Sequence, residues 1–164
     1  MQSYSSIQTK FNMYHENEYN CIVHFFTTFG VLFSIFGLVH NNVTKITFKK
    51  MIEILAITSI FCIICIDTEE KNTIVFLSVL FLFNCIFTML YMDNYLNSYG
   101  YSIIFTSSVL AQELSHVFFY EEAMMYHYDG FFLEDFLTHG IYIVPLIVQL
   151  LSKNHDYLYI IRDE

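Results

Sequence analysis

The chain has 164 residues, of which 55% are hydrophobic, 19% are aromatic and only 14% are charged. Soluble domains usually carry about 25% charged residues, so this composition, with a mean hydropathy of +0.48, excludes an ordinary soluble globule and predicts an integral membrane protein. The formal net charge is −9. Because the acidic residues cluster in loops and tails, the charge argues against a nucleic-acid partner and says little else.

The predicted elements are five apolar spans that follow a polar N-terminal segment, residues 1–20. The spans lie at about 21–40, 51–67, 73–91, 101–119 and 132–151. Each is close to the roughly 20 residues that cross a bilayer core, and backbone groups in lipid must bond within their own segment, which favours helices. We therefore predict an all-α polytopic membrane helix bundle with about five transmembrane helices over 21–151, and a polar C-terminal tail over 152–164.

The second and third spans contain almost only apolar residues and are predicted to be structural. Cys62 and Cys65 have the spacing of a redox motif, but they lie inside an apolar run without a βαβ context. Free cysteine in such a setting behaves as a small apolar residue. The cysteines are therefore predicted to pack rather than to carry redox chemistry.

Polar residues concentrate at one end of the other three spans. His24 lies a turn inside the first span, the fourth ends with Gln112, Glu113 and His116, and the fifth begins with Asp135 and His139. If all five spans cross the bilayer, the start of the first, the end of the fourth and the start of the fifth lie on the same side. Polar residues that are far apart in sequence should then meet at one membrane level, where unpaired ionisable groups are costly and usually functional.

The spacing of these residues suits a metal site. Gln112 and His116 are four residues apart, as are Asp135 and His139, so each pair shares a helix face. Histidines together with carboxylates and no thiolate favour iron or zinc, and a nearby carboxylate orients a ligating imidazole through its second ring N–H.

The four remaining histidines have different expected roles. His15 precedes the first span and is a further candidate ligand, and His127 lies in the loop beside the cluster as a ligand, a substrate contact or a solvated residue. His40 is predicted to be interfacial, and His155 belongs to the tail. The histidine boxes of membrane fatty acid hydroxylases and desaturases are missing, because no two histidines lie within five residues of each other. A site of two histidines and one carboxylate remains open.

Two sequence motifs resemble those of the 2-hydroxy fatty acid dioxygenase family, which comprises small multi-span endoplasmic reticulum proteins. The first is the pattern Tyr-His-x-Asn-x-x-Asn-x-x-x-His, which is matched by Tyr14, His15, Asn17, Asn20 and His24. The second family motif is Gln-x-x-Gly-His, followed shortly by Glu and then by a last apolar span that contains Pro. It is similar to Gln112-Glu113-Leu114-Ser115-His116, followed by Glu121 or Glu122 and, in the last span, Pro145. The chain departs from the family pattern at Glu18, Ser115 and the stretch after Glu122.

The resemblance implies an Fe(II)-dependent oxidation that uses O₂ to shorten a 2-hydroxy fatty acid by one carbon in the endoplasmic reticulum membrane. Its expected metal ligands are His15, His24, His116 and His139. Glu121 or Asp135 would be a ligand or base, and Gln112, Asn17 and Asn20 would orient ligands or close the helix entrance. Glu113 and His127 complete the candidates around the ion or substrate. Two alternatives stay open: another lipid-modifying metalloenzyme, and a non-enzymatic membrane scaffold or metal-binding protein.

Overall fold

The computed structural model describes residues 3–13, 15–119 and 142–150, and every regular element in these ranges is helical. The element order is α1 (Tyr4–Met13), α2 (Glu18–Asn42), α3 (Phe48–Cys65), α4 (Lys71–Met92) and α5 (Ser98–Phe118), and residues 142–150 are helical as well. The all-α prediction is confirmed. The first four predicted spans coincide with α2 to α5, whereas the fifth, 132–151, is described only over 142–150 and the tail lies outside the described residues.

Side-chain caps explain where three of the helices begin. Asn17 precedes α2 and accepts hydrogen bonds from the backbone N–H groups of Tyr19 and Asn20. Thr47 caps α3 in the same way, and Asn97 caps α5. These side chains satisfy N–H groups that have no partner within the helix. Helix α2 consequently begins at Glu18, three residues before the predicted span.

Among the described helices, α2 packs most extensively against α5. Two glycines of α2 allow this close approach: Gly30 lies against Ser108, and Gly37 lies against the ring of Tyr101. Because α2 and α5 are antiparallel neighbours in this packing, the beginning of α2 lies beside the end of α5. This arrangement brings His24 next to His116.

Two described helices, α2 and α4, are long and apolar enough to cross a membrane. Helix α3 carries three charged residues near its start, Lys49, Lys50 and Glu53, and α5 contains five serines. The count of about five spans therefore stays a prediction. Large apolar side chains are exposed on the outside of all four long helices, among them Phe26, Ile57, Phe76 and Val117.

The polar N-terminal segment contains a helix that was not predicted. Tyr4, Ile7 and Phe11 are buried along one face of α1, with the three- and four-residue spacing of a helix stripe. The Tyr4 hydroxyl donates a hydrogen bond of 2.7 Å to Oε1 of Gln149 in the 142–150 helix. Helix α1 is therefore part of the core, although its overall composition is polar.

The opposite end of the bundle is tied together by His40. Its Nε2 lies 3.3 Å from a carboxylate oxygen of Asp93 in the turn that follows α4, and its Nδ1 accepts a hydrogen bond from the backbone N–H of Ile46. The side chain of His40 is buried. His40 thus joins α2, α4 and the α2–α3 connection, rather than lying free at an interface.

Candidate metal centre

Three histidines from three parts of the chain meet in the interior. His15 lies in the connection between α1 and α2, His24 in the second turn of α2, and His116 in the last turn of α5. They are only 6%, 2% and 5% exposed, respectively. One ring nitrogen from each lies within 4.8 Å of the others. Within the described residues they form a buried triad that could bind a metal ion.

The distances between the rings are close to those that a shared ion requires. Two nitrogens bound at about 2.1 Å to one ion are separated by about 3.0–3.4 Å when they are neighbours and by about 4.2 Å when they lie opposite each other. His15 Nε2 and His24 Nδ1 are 3.3 Å apart. The ring centroids of His116 lie 5.2 Å from His15 and 4.8 Å from His24. The widest pair of nitrogens, at up to 4.8 Å, is about 0.6 Å beyond the separation of opposite ligands and about 1.4 Å beyond that of neighbouring ligands.

The local backbone fixes the position of His15 relative to His24. The Asn17 cap starts α2 directly after His15, and the Cys21 thiol donates to the His15 carbonyl at 3.5 Å. His15 Nδ1 lies 2.8 Å from the carbonyl oxygen of Phe11. One turn into α2, Nε2 of His24 is buried and has no hydrogen-bond partner among the described residues.

A buried imidazole nitrogen without a partner is costly in an apolar interior. Coordination of a metal ion through Nε2 of His24 removes that cost, whereas coordination through Nδ1, the atom 3.3 Å from His15 Nε2, leaves it in place. The donor set of three neutral imidazoles also suits iron, zinc or copper. The residues present therefore fit a transition-metal ion.

The other described candidates surround the triad without belonging to it. Asn17 is the cap of α2, and Asn20, which is fully buried, shares a helix face with His24. Gln112 and Glu113 are partly buried one turn before His116, and the Gln112 carbonyl accepts a hydrogen bond from the Ser115 hydroxyl. Glu113 is not among the residues whose ligand atoms converge.

Four predicted site residues lie outside the described residues: Glu121, His127, Asp135 and His139. Their roles stay predictions. A carboxylate near the triad would nevertheless be useful, because three neutral imidazoles leave both positive charges of a divalent cation uncompensated in the interior. Glu121 and Asp135 remain the candidates for this role.

Phe11 belongs to the site and was missed from the sequence. Its ring stacks on His15 with a centroid distance of 4.0 Å and an interplanar angle of 21°. The signal that could have revealed it is the spacing of Tyr4, Ile7 and Phe11, which predicts a helix with one buried face immediately before the motif.

Comparisons of the chain with protein-family models, with curated proteins and with solved structures found no match.

Proposed function

We propose that the protein is a membrane-embedded, non-haem Fe(II)-dependent dioxygenase that shortens 2-hydroxy fatty acids by one carbon. The observation that carries the proposal is the buried triad of His15, His24 and His116. Two members of this triad belong to the first motif shared with the 2-hydroxy fatty acid dioxygenases, and the third belongs to the second motif. Chemistry and resemblance thus point to the same three side chains.

The second part of the proposal is that the protein lies in a lipid bilayer. Two helices are long and apolar enough to cross it, and exposed apolar side chains on α2 to α5 suit contact with lipid. We place the protein in an internal membrane such as that of the endoplasmic reticulum, with about five spans. In that setting the acyl tail of a fatty acid can lie between apolar helices while its polar end reaches the triad.

The overall reaction needs only O₂ as the oxidant. A 2-hydroxy acid R–CH(OH)–COOH and O₂ balance with R–COOH, CO₂ and H₂O: the bond between C1 and C2 breaks, the acid loses four electrons and O₂ gains them. Iron, if bound, would act as a Lewis acid toward the 2-hydroxy acid and would provide the redox chemistry that O₂ requires. The three imidazoles would hold the ion, and the surrounding apolar helices would exclude water.

An assay with purified protein tests the proposed activity. Protein loaded anaerobically with Fe²⁺ should consume O₂ when given a long-chain 2-hydroxy fatty acid and release an acid that is one carbon shorter. The same fatty acid without the 2-hydroxyl is the matched control and should not react. O₂ uptake that does not depend on the 2-hydroxyl, or an unchanged substrate, would refute the proposed reaction.

A second candidate is a zinc-dependent lipid-modifying enzyme, which the three-histidine donor set favours, because three histidines and an open position form a known catalytic zinc site. Metal analysis of purified protein separates the two candidates. Zinc at one ion per chain with no O₂ consumption would favour this second function. Absence of any bound metal would instead favour a membrane scaffold with hydrogen-bonded histidines.

A further inference from the structure

The C-terminal end of α1 directs a backbone carbonyl at His15. The last four carbonyl groups of a helix have no partner within the helix, and α1 ends at Met13. The carbonyl of Asn12 accepts the backbone N–H of His15 at 3.2 Å, and the carbonyl of Phe11 lies 2.8 Å from Nδ1 of the same residue. Both carbonyls therefore have a partner in His15.

This contact determines which nitrogen of His15 carries the proton. A carbonyl oxygen can only accept a hydrogen bond, so Nδ1 must be the protonated nitrogen, and in the neutral imidazole Nε2 then carries the lone pair. That Nε2 points toward the triad, since it lies 3.3 Å from Nδ1 of His24. Imidazole in water populates both tautomers, so the helix end selects the one that can bind an ion through Nε2.

The ring orientation of His15 is restrained by Phe11, which stacks on it. Helix α1 is itself held at its other end. The Tyr4 hydroxyl donates to Gln149, and the backbone N–H and hydroxyl of Ser5 donate to the Asp67 carboxylate at 3.0 and 3.1 Å. Burial raises the pKa of the Tyr4 phenol well above its ordinary value, so the hydroxyl remains a donor.

We propose that α1 is a positioning element of the metal centre, in which Phe11 holds His15 as the Nδ1–H tautomer with its Nε2 lone pair directed at the ion. The proposal rests on the proposed metal site and adds a role for a helix that carries none of the ligands. Ligating histidines commonly donate their second N–H to a carbonyl or carboxylate, and loss of such a partner lowers metal affinity by about 10- to 100-fold.

Nuclear magnetic resonance of the metal-free protein tests the tautomer. The chain is labelled with ¹⁵N-histidine and studied in micelles, and the signals of His15 are assigned from their loss in His15→Asn. We expect correlations of a protonated Nδ1 and an unprotonated Nε2. A His15 ring protonated at Nε2 would overturn the proposal without touching the proposed function.

Titration with Co²⁺ alone, followed by its visible absorption, tests the positioning role. Phe11→Leu keeps an apolar side chain and the backbone carbonyl but removes the stacking, and should weaken Co²⁺ binding by about 3- to 10-fold. Ile7→Val is the matched control on the same buried face of α1, one turn away, and should change the affinity by less than about threefold.

The two failures can be told apart. Equal losses in Phe11→Leu and Ile7→Val, with normal binding by the unaltered chain, would overturn the positioning role alone. Absence of Co²⁺ binding by the unaltered chain would overturn the metal site, and the positioning role with it.

Discussion

Replacement of Gly37 by alanine should push α2 and α5 apart where Gly37 lies against Tyr101. A Cβ at this position would lie well inside van der Waals contact with three ring carbons of Tyr101. The ring is fully buried and cannot swing aside. To restore a carbon–carbon separation of about 3.5 Å, the two helices must move apart by about 1 Å. Overpacking of this kind lowers the free energy of unfolding by about 1–3 kcal/mol. Because the ring is rigid, we expect Gly37→Ala to lie near the upper end of this range.

The helix propensity of alanine offsets about 1 kcal/mol of that cost. The net loss is then about 2 kcal/mol, which corresponds to a melting temperature lower by about 4–8 °C for a chain of this size. Gly100→Ala is the matched control, because the closest atom to its Cβ would be the flexible end of Leu96 at 3.1 Å, and the other neighbours lie at ordinary contact distances. Thermal unfolding in micelles checks both variants. A Gly37→Ala protein that melts at or above the temperature of the unaltered chain would refute this account of the α2–α5 contact.

Three further predictions concern the triad, His40 and Tyr4. His24→Ala and His116→Ala should each remove bound iron and O₂ consumption together, whereas His155→Ala should retain both; iron retained in both of the first two variants would contradict the ligand assignment. His40→Ala should lower the free energy of unfolding by about 1–3 kcal/mol, because it leaves a carboxylate and a backbone N–H without their buried partner, and metal content measured on the same preparation should not change. Tyr4→Phe removes one buried hydrogen bond and should cost about 1 kcal/mol in chemical unfolding; an unaltered midpoint would show that this bond does not hold α1.

The helical class and the four long described helices were predictable because apolar runs of about 20 residues are typical of helices and too long for strands. The meeting of His24 and His116 followed from alternation of the spans, which depends on topology and not on side-chain detail. The start of α2 was predicted three residues late, although Asn17, which caps it, was among the residues expected to close the helix entrance. Capping depends on a single side-chain contact, which a hydropathy pattern does not register.

The role of α1 was not predictable from hydropathy, because its apolar residues form a narrow stripe in an otherwise polar segment. Phe11 acts partly through its backbone carbonyl, and no side-chain pattern reports on a carbonyl. The burial of His40 was missed for a related reason. Its partners are the carboxylate of Asp93, more than fifty residues away, and the N–H of Ile46 in a connection, and only the fold brings these groups together.

The most direct test of the metal centre is X-ray absorption at the iron edge on protein purified with Fe²⁺. The account predicts about one iron per chain with about three imidazole nitrogens near 2.1 Å, and loss of that signal when His15, His24 and His116 are all replaced by alanine. An iron shell without imidazole, or iron retained equally by the triple variant, would contradict it.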